Sequence, residues 1–245
     1  MARIIERGKL IAGVGRGAYL FSSPNAITGE LEGFDIDIVH DIAFALFGDR
    51  NQVELRQVDS TDQLRVVESE LVDLVVSTMT VTCRQLQAVE FSTVYLEVGQ
   101  QVLVNRNMNV DGLEDLGGKR VCAARGSTSL NTIATAPSRP IPVGVANVTD
   151  CLMLLQLGEV AAISTHDTLL AGFAAQDPRT VVVGPRFAEE PYGVAVKRTN
   201  ADLVRFVNAV LERRVADGTW QESYQRWLGS ALGPPPAPPA ARYRD

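Results

Sequence analysis

The chain has 245 residues, 46% of them hydrophobic and 21% charged, with a formal net charge of −6. That size suits one large domain or two lobes of about 100 residues each, and the acidity argues against a general nucleic-acid binder. No apolar run reaches the roughly 18 residues of a membrane-spanning helix, and MARIIERGKLIAGVG lacks the hydrophobic core of an export signal; the chain reads either as cytosolic or as the mature part of an exported protein.

RGKLIAGVG reads as a short apolar strand entering a glycine loop. After the turn residues PNAITGE, the run GFDIDIVHDIAFALFGDR predicts a helix: Asp35 is placed to cap it, Asp37 sits in its first turn and Gly48 can end it. Ile38, Ile42, Ala45 and Leu46 would form its core-facing stripe, with His40 at the surface. QVELRQV predicts a strand, and Ser60 with Gln63 forms a capping-box pattern for the next helix. VDLVVSTM is continuously apolar, as in the buried centre of a parallel sheet.

In STMTVTCRQLQAVEFSTVY, Ser77, Thr78 and Thr80 precede a second capping-box pattern, Thr82 with Gln85, and then a strand. Hydroxyls beside a helix N-terminus suit an anionic or polar ligand, because the first turn leaves N–H groups unpaired. A strand end and a cap with nothing bound would read the same.

YLEVGQQVLVNR is extended, and the series restarts. DLGGKRVCAAR predicts a strand, GSTSLNTIAT a turn into a helix, IPVGVA a strand, DCLMLLQLGEV a helix, AAIST a strand, HDTLLAGFAAQ a helix and TVVVG a strand. After PYGVAVKR, LVRFVNAVLERRVADGTW is amphipathic, with Val204, Val207, Val210 and Leu211 inward. GPPPAPPAARYRD predicts an extended, mobile tail. Alternating strands and helices in two series predict two α/β lobes with a cleft between them, ligands meeting the carboxyl ends of strands. In the second series Gly126 permits close backbone approach, Ser127 and Thr128 bring hydroxyls to a helix start, and Arg125 adds charge.

Cys83, Cys122 and Cys151 have neither metal-ligand spacing nor a Cys-x-x-Cys pattern, and no cofactor is expected. Cys122 in a strand and Cys151 at a helix start leave two readings open, a disulfide worth about 3 kcal/mol or two small core side chains. Cys83 is expected to be a buried thiol.

The succession ERGKLIAGVG, GELEGFDIDIVHDIA, VDLVVSTMTVT, VEFSTVY, LGGKRVCAARGSTS, LGEVAAISTHDTLLAG, PYGVAVKR and DGTWQESYQRWL resembles the extracytoplasmic solute-binding proteins of polar amino-acid ABC importers, in particular their glutamate/glutamine branch from Gram-positive bacteria. The resemblance implies a periplasmic-binding-protein-like type II fold, two α/β lobes joined by two crossing hinge strands. Lobe 1 would take residues 1–98 and 191–230, lobe 2 residues 99–190, and the tail 231–245. It also implies a Cys122–Cys151 disulfide, a small polar or anionic ligand, possibly an amino acid, an ABC permease as partner, a lipid anchor outside this sequence, a monomer, and no nucleic acid.

The resemblance further implies ligand-facing roles for Ser77, Thr78, Thr80, Ser127 and Thr128. The arginine that clamps an α-carboxylate falls on Gln85, with Arg84 one residue early; the aspartate that pairs with an α-ammonium falls on His166, with Asp167 next. Aromatic and acidic pocket positions fall on Ala18 and Gly15. The remaining hydroxyls and the cations Arg16, Arg84 and Arg125 would suit an anion or a polar neutral ligand better than a zwitterion, so weak or altered specificity is expected. A ligand sensor that signals to a membrane partner, and a dehydratase-like enzyme relying on His166, are the alternative functions.

Overall fold

A computed structural model describes residues 1–243 and divides into two compact units. The first comprises Met1–Val58, Asp62–Glu97 and the chain from Pro191 on; the second comprises Asp59–Thr61 and Val98–Glu190. The proline-rich stretch of the sequence ends at 244–245, which lie outside the described residues.

In the first unit, α1 (Ala2–Arg7), a helix the sequence pattern did not suggest, closes on Gly8 in the left-handed region and leads into β1 (Leu10–Gly15). A small hairpin of β2 (Ser23–Pro24) and β3 (Leu31–Glu32) precedes α2 (Phe34–Phe47), β4 (Val53–Val58), α3 (Gln63–Glu68), β5 (Leu74–Val76) and β6 (Val89–Phe91).

The second unit holds β7 (Gly99–Asn105), β8 (Arg120–Ala124), α4 (Thr128–Thr135), β9 (Ile141–Val145), α5 (Val148–Gln156), β10 (Ala162–His166), α6 (Asp167–Gln176) and β11 (Thr180–Glu189). The chain then returns to the first unit as β12 (Ala195–Lys197), α7 (Ala201–Ala216), α8 (Thr219–Trp227) and α9 (Gly229–Leu232).

The first sheet runs β4-β1-β5-β12-β6, with β4, β1 and β5 parallel and β12 antiparallel to both β5 and β6. The second runs β11-β7-β10-β8-β9, with β10, β8 and β9 parallel and β7 antiparallel to β10 and β11. β5 is buried at every residue, which is why its run is apolar without alternation.

The α7 stripe packs as its periodicity requires, with Leu203, Val204, Val207, Val210 and Leu211 buried. Helix α7 stops at Ala216, and Gly218 at φ 85° starts the separate α8. Trp220 of α8 stacks on Tyr224 with centroids 5.4 Å apart, meets Phe34 edge-on at 6.2 Å, and donates its indole N–H to the Tyr95 carbonyl at 2.8 Å. Such contacts are worth about 0.5–1.5 kcal/mol beyond area burial. Pro239 and Ala241 line an apolar cavity of about 150 Å³ together with Val94, Leu211, Val215 and Trp220.

Several local expectations are corrected. Asp35 is no cap: Gly33 stands at the N-cap, and Asp35 lies one turn-position inside the helix, fully buried. In the α2 stripe Ile38 and Ile42 are buried but Ala45 is exposed, its place taken by Ala43. Ser60 and Gln63 form no capping box, since Asp62 precedes the helix; the Ser60 hydroxyl donates to the Arg125 carbonyl and the Gln63 amide to Ser77. Thr82 does accept the Gln85 N–H, but it opens only a three-residue 3-10 turn, 85–87. Cys83 is exposed rather than buried, because it lies in the irregular segment before that turn.

Cys122 of β8 and Cys151 of α5 form a disulfide with Cα atoms 5.6 Å apart. It lies within the core built by Leu103, Leu155, Ile163, Leu170 and Phe173.

Candidate functional site

In the first unit the candidate groups cluster where β1 and β5 end. Gly15 closes β1, and a side chain there would bring its Cβ to 2.9 Å from the Ser22 hydroxyl and 3.1 Å from that of Ser77. An acidic residue at position 15, as the resemblance expects, would require the Ser22 and Ser77 hydroxyls to turn aside. Ala18 is buried and bridged to Ser22, while Tyr19 beside it keeps 41% exposure.

Ser77 and Thr80 are buried; Ser77 takes a 2.9 Å hydrogen bond from the Gln63 amide, and Thr80 bridges Tyr192. Thr78 sits at φ 44°, a left-handed conformation that costs a β-branched residue on the order of 1–3 kcal/mol. Its N–H donates to Asp35 Oδ2 at 2.9 Å, and the Tyr95 hydroxyl donates to Asp35 Oδ1 at 2.8 Å. Burial pushes the Asp35 carboxyl up to about 7, opposed by these two hydrogen bonds; burial and the nearby Asp35 charge push the Tyr95 phenol well up. Asp35, Tyr95 and Gln63 are positioning residues that sequence reasoning missed. The only signal was an acidic residue at a helix start, which reads as an ordinary cap.

Gln85, where the resemblance expects an arginine, is engaged locally. The Thr82 hydroxyl lies 2.9 Å from Gln85 Oε1, while Arg84 and Arg16 are exposed.

In the second unit β8 and β10 end beside the starts of α4 and α6. Ser127 is the N-cap of α4: its hydroxyl accepts from the Leu130 N–H at 3.2 Å and donates to the Ala124 carbonyl at 2.7 Å. Gly126, at φ 77°, faces Thr61, and Arg125 is exposed with its N–H on the Val145 carbonyl. Thr128 donates to Glu190 Oε2 at 2.8 Å, and the same oxygen lies 3.6 Å from His166 Nε2, both acid and imidazole being buried. Asp167 bonds the Arg186 guanidinium and accepts the Thr168 N–H. Gln100, opposite His166 in the β7–β10 register, is fully buried; its Oε1 and the Ser129 hydroxyl have no hydrogen-bond partner among the described residues.

The structure thus brings together Thr128 and His166 around Glu190, and Ser77 with Gly15. It leaves Arg16, Arg84 and Arg125 at the surface. Glu190 and Arg186 carry charge here and were not singled out from the sequence, because both lie far along the chain from the loops they meet.

No metal-binding cluster of acidic, histidine or cysteine side chains occurs among the described residues. None of their helices is long and apolar enough to cross a membrane.

Residues 10–230 match the model of the bacterial extracellular solute-binding proteins, family 3. The chain is similar to the ABC transporter glutamine-binding protein GlnH of Bacillus subtilis, 33% identical over 229 residues that cover 93% of this chain and 84% of that protein. It is also similar to the glutamine-binding protein of Geobacillus stearothermophilus, 36% identical over 195 residues, 79% of this chain and 74% of that one. Among solved structures, an ancestral arginine-binding protein bound to glutamine matches with a TM-score of 0.85 at 32% identity, over 91% of this chain and 99% of the other.

The fold is that of the type II periplasmic binding proteins. These relatives are solute-binding proteins, not enzymes, which sets the dehydratase reading aside. The chain belongs to the bacterial extracellular solute-binding proteins, family 3.

Proposed function

We propose that this protein captures a small polar amino acid outside the cytoplasm and hands it to an ABC permease, acting as a monomer held at the membrane by a lipid anchor. The observation that carries the reading is the group of buried hydroxyls, carboxylate and imidazole gathered where strands end and helices begin, the place where open α/β sheets bind ligands. The relatives named for glutamine give the solute class.

The residues assigned to the ligand are Ser77, Thr78 and Thr80 in the first unit and Ser127, Thr128 and His166 in the second. With an amide at Gln85 in place of a guanidinium, the α-carboxylate is held by a weaker contact, so the affinity order departs from that of a glutamine or glutamate binder. Arg16, Arg84 and Arg125 complete the assigned set as its cationic groups.

A thermal-shift screen of glutamine, glutamate, asparagine, aspartate, keto acids and sugars tests this. A ligand at a hundred times its Kd adds about 2.7 kcal/mol to stability. A rise in Tm with one or more amino acids is expected; a response only to keto acids or sugars would refute the amino-acid reading.

A further inference from the structure

We infer that the first unit carries a recognition groove for a proline-rich segment in extended polyproline form, and that the chain's own residues 234–241 are its occupant.

The composition of GPPPAPPAARYRD alone would leave this stretch free. In the structure α9 ends on Gly233, at φ 85°, and the chain continues through 234–243 without helix or strand. Proline fixes its own φ and holds the residue before it extended, so PPPAPP favours the polyproline helix, in which every third residue shares a face. Burial follows that period: Pro235 and Pro238 are half-buried, while Pro234, Pro236 and Ala237 are exposed. Ala241, next in the same series, lines the cavity of about 150 Å³, as does the half-buried Pro239. One face of the segment is therefore turned to the protein.

The facing wall is of the kind such a face requires. Leu211 and Val215 come from α7, Trp220 from α8, and Val94 and Tyr95 from the stretch after β6. Aromatic-lined grooves suit pyrrolidine rings, and a segment already held in polyproline form loses little conformational freedom on docking. The Trp220 indole N–H is already bonded to the Tyr95 carbonyl, so the indole offers the segment apolar surface and not an unmet donor. Glu212 lines the same cavity, and Arg242 directly follows Ala241. A cation of the segment thus adjoins, along the chain, the residue that shares the cavity with an acid. The segment is also tethered nearby: α9 follows the helix that supplies Trp220, and a short tether gives a high effective concentration.

The test compares the full chain, a chain ending at Gly233, and the full-length variant Pro235→Ser, Pro238→Ser, Pro239→Ser. In the full chain, ¹⁵N relaxation of the Ala237, Ala240 and Ala241 amides is expected to match that of α7; values of a disordered chain would overturn the proposal. The shortened chain is expected to have a Tm lower by about 3–6 °C and a displaced Trp220 indole cross-peak. A peptide of residues 234–243 added to it should restore both saturably. The same peptide carrying the three serines should bind at least about tenfold more weakly.

If the shortened chain does not fold by circular dichroism, the serine variant, which keeps the length, supplies the comparison. Its Trp220 cross-peak is expected to shift and its segment amides to become mobile. An unmoved Trp220 resonance in the altered chains, or equal binding of the two peptides, would overturn the proposal. A concentration-dependent dimer that exchanges its segments would overturn the assignment of the groove to the chain's own residues.

Discussion

Asp35 is a carboxyl group placed where water does not reach, and it holds Thr78 in an uncommon backbone conformation. Its folded-state value of about 7 lies above the ordinary 3.8. A raised carboxyl is protonated in the folded chain and ionised in the unfolded one between those two values. Its contribution is therefore fully present below about pH 4 and is lost as pH rises to about 7, by roughly 1.4 kcal/mol per pH unit. Asp35→Asn removes the titration and keeps an acceptor for the Thr78 N–H. Urea unfolding should show the unaltered protein's advantage over this variant shrinking from pH 4 to pH 7; a constant difference would contradict the assignment. Gly33 is the other decisive single residue. At φ 137°, a Cβ would lie 2.3 Å from the Phe21 carbonyl carbon and oxygen, so Gly33→Ala is expected to cost at least about 3 kcal/mol in the denaturation midpoint assay.

Elements stand on contacts between segments distant in sequence. The disulfide ties β8 to α5 across 29 residues, and a loop of that length corresponds to about 3–4 kcal/mol. Replacing both cysteines by serine should lower stability by about that amount, and thiol titration of the unfolded, unreduced chain should find one thiol, that of Cys83; three would exclude the bridge. Helix α8 is anchored by Trp220, which fills the space among Phe34, Tyr95 and Tyr224. Trp220→Ala should cost about 3–5 kcal/mol, read by thermal or urea unfolding.

At the scale of the molecule, apart from the short Asp59–Thr61 segment, the chain leaves the first unit after Glu97 and returns at Pro191. β12 then enters the interior of the first sheet, between β5 and β6. A fragment ending at Glu97 thus lacks an inner strand together with α7 and α8, and it should show little ordered structure by circular dichroism and proton NMR. The segment 98–190 contains every strand of its own sheet and the disulfide, and it should give dispersed amide resonances when oxidised. Folding of the first fragment alone would contradict the dependence of its sheet on β12.

The strand–helix series, the apolar run of β5, the stripe of α7 and the order of the family motifs all follow from residues close together in the chain, and the sequence determined them unaided. Periodicity and turn chemistry act within a few residues, so they are legible locally. The family likeness also supplied the cysteine pair and the expectation that Gln85 and His166 stand where the family has charged anchors. Only the tertiary structure decided that Asp35 is a buried support and not a cap, that Cys83 is exposed, that the Ser22 and Ser77 hydroxyls crowd position 15, and that Glu190 stands beside His166 and Thr128. Each of these depends on which distant segment arrives at a strand end. Burial and charge proximity are set by that arrival and not by the neighbours of a residue along the chain.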